Sequence, residues 1–122
     1  MKTYYETTVT ELGTSIADFM DAGMMILFNE NAPAELRDFC VLHHGNMLND
    51  VVQVGDVLRI GTSSYQVQFV GSEVQKNLKN LGHITLRFNG NEEGESLEGS
   101  LYVEKKALPK VQVGDKVTLS RP

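Results

Sequence analysis

The sequence predicts a mainly β fold, a compact antiparallel β barrel or sandwich with two or three short helices. Three observations carry that expectation. Runs rich in β-branched and aromatic residues recur along the whole chain, often alternating as side chains do on the two faces of a sheet. Turn residues, above all glycine next to asparagine or aspartate, punctuate these runs. Helical periodicity appears only in short stretches. Roughly seven strands result, more than the two or three helices can outweigh in setting the architecture.

Residues 2–12 read as the first strand, with Thr3, Tyr5, Thr7 and Val9 alternating with Lys2, Tyr4, Glu6 and Thr8, and Gly13 ends it. Thr14 or Ser15 is placed to cap a short helix through Ile16, Ala17, Phe19 and Met20, with Gly23 as its stop. The continuous apolar run from Met24 to Phe28 fits a strand buried on both faces, and periodicity alone leaves a buried helical piece open. Asn29 to Ala32 is a loop. Pro33 opens a second helix to Asp38, where its missing N–H costs nothing.

Cys40 to His43 reads as a strand stopped by Gly45-Asn46. Alternation puts Cys40, Leu42 and His44 on one face, Val41 and His43 on the other. Val51–Ile60 and Tyr65–Val70 form a hairpin around Gly61–Ser64. Ser72-Glu73-Val74-Gln75 has the capping-box pattern for a helix from Glu73 to Leu81. Val74, Leu78 and Leu81 form its buried stripe and Gly82 its left-handed cap. His83–Phe88 alternates as a strand, Asn91–Glu98 with its four glutamates is a solvated loop or hairpin tip, and Leu101–Val103 and Val117–Leu119 close the chain as strands. Val52-Gln53-Val54-Gly55-Asp56 is echoed by Val111-Gln112-Val113-Gly114-Asp115. The echo reads as shared strand and Gly-Asp turn chemistry, not as a duplicated domain.

Length and composition bound the function. The 122 residues suit one domain, residues 1–122, with 41% hydrophobic and 22% charged residues as in ordinary globular proteins. No apolar run approaches the roughly eighteen residues of a membrane span, and Met1–Glu6 lacks the apolar region of a secretory signal. The single Cys40 excludes an intramolecular disulfide. A cytoplasmic location with no membrane insertion is therefore expected. The net charge of −5, with its basic residues scattered, argues against nucleic acid and suits a basic protein partner.

The chemistry concentrates in His43-His44-Gly45. Histidine is the one side chain that serves as a neutral nucleophile or a proton donor near pH 7, and a packed or hydrogen-bonded role is the competing reading. A serine hydrolase lacks its Gly-x-Ser-x-Gly elbow, and no Gly-x-Gly-x-x-Gly or P-loop marks a nucleotide site. A zinc site from Cys40, His43, His44 and His83 matches no standard spacing, so no metal is expected. A phosphoryl-accepting histidine needs only an exposed ring nitrogen and donors around the oxygens. Gly45 would allow approach to its backbone N–H, and a second histidine could donate.

Gly71-Ser72-x4-Asn77-Leu78-x2-Leu81-Gly82-His83-x-Thr85-Leu86-Arg87-Phe88-x-Gly90 follows Asn31-Ala32-Pro33-Ala34-x-Leu36 and Cys40-x-x-His43. In this order the positions closely resemble the glucitol/sorbitol-specific enzyme IIA components of the bacterial sugar phosphotransferase system (PTS), from about Tyr5 to the C-terminus. The resemblance implies a cytoplasmic phosphocarrier without cofactors. It would take a phosphoryl group from phospho-HPr onto His43, the histidine after Cys-x-x, and pass it to the IIB part of a sorbitol transporter. His44, Gly45 and His83 would be auxiliary at most. The family often reads His-x-His-Gly here, and this chain is one residue shorter. The alternative is a non-catalytic β-barrel interaction or regulatory module. A His43 exposed in a shallow depression favours the carrier, whereas a buried His43 with both nitrogens satisfied favours the module.

Overall fold

Eleven residues of alternating, largely β-branched and aromatic character, Lys2–Leu12, form the long first strand, β1, which pairs with strands on both sides. In this computed structural model, residues 1–45 and 47–122 are described. The elements after β1 are α1 (Ile16–Asp21), β2 (Met24–Asn29), α2 (Ala34–Arg37), β3 (Val41–Gly45), β4 (Val57–Ile60), β5 (Ser63–Val70), α3 (Val74–Leu81), β6 (Ile84–Arg87), β7 (Ser100–Val103) and β8 (Lys116–Arg121). The strands close into one barrel in the order β1-β3-β2-β6-β7-β5-β4-β8. Only β2–β3 and β6–β7 are parallel. The mainly β expectation is met, and closure decides for a barrel over a sandwich.

Val9, Met25, Leu27, Val41, Leu58, Leu86, Leu101 and Leu119 fill the barrel, and Val74 and Leu78 of α3 pack onto them. A satellite cluster of Phe28, Ala32, Cys40 and Leu42 lies on the other face of β2 and β3. That is the alternation expected for Cys40 and Leu42 against Val41.

Several expectations are corrected. The strand expected over Val51–Ile60 is only Val57–Ile60, because the Val52 N–H donates to Gln75 Oε1 (2.9 Å) and the Asp50 carbonyl accepts from Gln75 Nε2 (2.9 Å). A side chain of α3 thus takes bonds that a ladder would otherwise fill. With Gln75 engaged there, no capping box forms, and α3 starts without a side-chain cap. Leu81 is 45% exposed, since the last turn of α3 runs past the core that Val74 and Leu78 cover. Tyr4 is buried together with Tyr5, because the β1–β8 register shifts between Thr3 and Tyr5. The expected Gly45-Asn46 stop falls partly on Asn46, outside the described residues.

The Val-Gln-Val-Gly-Asp echo is more than turn chemistry. It marks two half-barrels, β1-α1-β2-α2-β3-β4 and β5-α3-β6-β7-β8, that repeat one set of backbone bonds, the first with α2 as an addition. Gly13 N–H donates to Cys40 O and Gly71 N–H to Ser100 O, both at 2.9 Å. Gly114 N–H reaches Val9 O (2.8 Å) and Gly55 N–H reaches Val67 O (2.9 Å), each at a bulge of the receiving strand. Asp56 and Asp115 cap their turns alike, accepting from Gln53 N–H and Gln112 N–H. Neither half is a domain, because both line the same core.

Candidate functional site

β3 brings His43 to the inner side of the barrel wall and turns His44 outward. His43 is 2% exposed. Its Nε2 lies 2.7 Å from the Gly82 carbonyl oxygen and its Nδ1 2.7 Å from the Thr7 hydroxyl. A carbonyl only accepts, so in the neutral ring Nε2 carries the proton and Nδ1 accepts from Thr7. Burial lowers the His43 pKa against the raising effect of the Gly82 bond, so the ring is neutral at pH 7.

Gly82 reaches the ring because it ends α3 in the left-handed conformation (φ 61°), with its N–H on Leu78 O and the His83 N–H on Asn77 O. A Cβ at this position would stand 2.9 Å from His43 Cε1. The helix cap read from the sequence is therefore also the seat of the histidine ring. Thr7, opposite, is fully inside the wall at 1% exposure. Beside the ring opens a cavity of about 140 Å³ lined by Tyr5, Asn29, His43, Gly45, Lys79 and Gly82, with Met47, Leu48 and Leu78. That is about ten times the space that holds one water, so a group of several heavy atoms fits. Burial pushes the Tyr5 hydroxyl up to about 12, partly offset by a hydrogen bond with Thr7.

The other candidates are distributed differently. His44 is exposed, with Nδ1 3.1 Å from Glu30 Oε1. The His83 ring stacks on Phe28 at 4.6 Å between centroids, and it is its neighbour, Gly82, whose carbonyl oxygen holds His43. Gly45 lines the cavity, but its lack of a side chain has a packing cause: a Cβ would stand 2.4 Å from Thr7 Cα. Cys40 faces the satellite cluster. Among the described residues no three His, Cys, Asp or Glu side chains converge on a metal position. In the repeat, the bond from Glu30 N–H to His43 O is matched by that from Gly90 N–H to Val103 O, so the second half carries valine where the first has histidine.

Sequence reasoning missed Thr7 and the Gly82 carbonyl. Thr7 did leave a signal, a hydroxyl on the face of β1 that otherwise carries Tyr5 and Val9.

The burial of His43 has a measurable consequence. Its pKa is lower folded than the ordinary 6.5, so the unfolded chain binds the proton more readily, and stability is full above pH 6.5 and falls as pH drops toward the folded value. His83 is lowered in the same direction by burial. Urea unfolding at pH 7.5 and 5.5 is expected to show a lower midpoint at 5.5, with a smaller difference in His43→Gln. An equal pH effect in that variant would remove His43 as a source.

Comparison with known proteins identifies the family. The pattern described as "PTS system glucitol/sorbitol-specific IIA component" matches residues 4–118. The chain belongs to that family. Two IIA relatives, each named "PTS system glucitol/sorbitol-specific EIIA component", from Shigella flexneri and Escherichia coli (strain K12), are 39% identical over 103 residues, spanning 84% of this chain and 83% of theirs. A solved structure titled "The Crystal Structure of PTS System IIA Component from Enterococcus faecalis V583" superposes with a TM-score of 0.80 at 30% identity, over 92% of this chain and 96% of that one. In this IIA chain, among the described residues, no helix is long and apolar enough to cross a membrane.

Proposed function

We propose that this IIA-family chain is a single-domain cytoplasmic phosphocarrier that takes a phosphoryl group from phospho-HPr onto His43 and passes it to the IIB part of a sorbitol transporter. The observation that supports it best is a neutral imidazole, fixed between Thr7 and Gly82, at the edge of a cavity large enough for a phosphoryl group. Lys79, which lines the same cavity, supplies a cation for the phosphoryl oxygens. Metal and organic cofactors have no part in this reading.

The second reading, a non-catalytic module, draws on one specific observation: His43 is buried with both nitrogens engaged. The carrier reading accommodates this, because one of the two partners is a single rotatable hydroxyl and family membership points to phosphotransfer. Incubation with enzyme I, HPr and phosphoenolpyruvate is expected to place one equivalent of acid-labile phosphate on the chain. Membranes carrying the sorbitol transporter should then remove it. A chain that stays unlabelled with fully phosphorylated HPr present decides for the module.

A further inference from the structure

The half-barrel repeat sets two aspartates in one backbone frame and gives them different company. We infer that Asp115 and the cavity beside it form a socket for a guanidinium group, that of an arginine side chain presented by another protein. The inference stands on the repeat and is independent of the phosphocarrier reading.

Asp56 precedes β4 as Asp115 precedes β8. Through Oδ2 each accepts the N–H three residues back, from Gln53 at 3.0 Å and from Gln112 at 2.9 Å. The carbonyl of each accepts from a bulged neighbouring strand, Asp56 O from Val67 N–H (2.8 Å) and Asp115 O from Val9 N–H (2.9 Å). The β4–β8 pairing reads the same from either half, with Leu58 opposite Leu119 and Ile60 opposite Val117.

In the first half this frame holds a guanidinium. Arg121 Nε and Nη2 reach the two Asp56 oxygens at 3.1 Å each, and Tyr4 adds its hydroxyl to the carboxylate and its ring to the guanidinium. Arg121 ends β8 and Tyr4 stands near the start of β1, so the two residues come from separate strand ends. Their counterparts are the end of β4 and the start of β5, which one turn, Gly61-Thr62, joins. Thr62 alone stands where the first half has both an arginine and a tyrosine. The second half therefore has a cavity of about 480 Å³ at this place, with Asp115, Gly61, Thr62, Leu108, Pro109 and Lys110 in its wall. A Cβ at Gly61 would stand 3.4 Å from Asp115 Oδ2, which sets the carboxylate directly beside the turn.

The chemistry of the wall selects the occupant. Asp115 keeps one oxygen on the Gln112 N–H, and among the described residues no cation pairs with it. A carboxylate binds a planar guanidinium through two parallel bonds, as Asp56 does, whereas an ammonium offers only a point charge. Leu108 and Pro109 give apolar surface to the methylene stem of an arginine. Lys110 is the one cation in the wall, and its flexible stem lets it turn to solvent. The net charge of −5 draws basic proteins to the surface on which the cavity opens.

The test is an NMR titration of the full ¹⁵N-labelled chain with a blocked Gly-Arg-Gly peptide. The amides of Gly61, Thr62, Gln112 and Asp115 are expected to shift together and to saturate at millimolar peptide. Asp115→Asn keeps an acceptor for the Gln112 N–H and so keeps the turn. It is expected to weaken binding roughly tenfold or more, the effect of losing one charge-assisted pair. A blocked Gly-Lys-Gly peptide should bind clearly less well. Absence of localised shifts, equal binding by folded Asp115→Asn, or equal binding of the lysine peptide would overturn the proposal. The same shifts with inorganic phosphate would also overturn it, by marking an anion site at Lys110. Shifts with free arginine but none with the blocked peptide would assign the cavity to a small molecule and overturn the protein partner.

Discussion

Asp56→Ala is expected to lower the unfolding free energy by about 3 kcal/mol, because it removes the centre of a buried polar knot and strands the groups around it. Asp56 is 2% exposed at the entry to β4. One oxygen accepts from the Tyr4 hydroxyl (2.5 Å), the Gln53 N–H (3.0 Å) and Arg121 Nη2 (3.1 Å), and the other from Arg121 Nε (3.1 Å). Arg121 also donates to Asp50 and to Val51 O, and its guanidinium lies 5.0 Å from the centre of the Tyr4 ring. The knot ties the ends of β1, β4 and β8 to the segment that leads away from the His43 cavity. Without the carboxylate, the Tyr4 hydroxyl and the half-buried Arg121 lose their shared acceptor.

The same knot has a pH signature. Burial works to raise the Asp56 pKa, but the bonds from Arg121, Tyr4 and the Gln53 N–H overcome it and leave it below the ordinary 3.8. The folded state thus favours the ionised form. Its contribution is full above pH 3.8 and is lost as pH falls through the folded value. Urea titrations of wild type and Asp56→Ala should converge in acid and separate at pH 7. A midpoint unchanged by the substitution at pH 7 would make the knot irrelevant to stability.

Gly45→Ala is the second large effect. The added methyl carbon would stand 2.4–2.5 Å from Thr7 Cα, Glu6 O and Thr7 Cβ, two of which are backbone-fixed, so β1 and β3 must part locally. Overpacking of this kind costs roughly 1–3 kcal/mol, and the strand that moves carries the Thr7 hydroxyl away from His43 Nδ1. The expected result is a lower unfolding midpoint together with slower phosphorylation. A variant as stable and as quickly labelled as wild type would contradict the packing described.

The division of the histidine pair was legible in the sequence, because strand alternation needs no tertiary information: Leu42 and Cys40 go one way, Val41 and His43 the other. Gly82 was legible as a helix end, because a left-handed cap has a local signature. What the cap does was not, since its carbonyl meets His43 across 39 residues of chain. Leu81 and the Val51–Asp56 segment were misread for a related reason. Their periodicity is right, but the barrel outline and the reach of Gln75 decide their burial and pairing. The half-barrel repeat stayed hidden because its matching contacts are backbone bonds, which constrain few side chains beyond Gly-Asp.

Phosphate mapping on single-histidine variants tests the central claim most directly. With enzyme I, HPr and phosphoenolpyruvate, His44→Ala is expected to accept one equivalent of acid-labile phosphate and folded His43→Ala none. Normal labelling of His43→Ala, or loss of label in folded His44→Ala alone, would contradict the assignment of His43 as the acceptor.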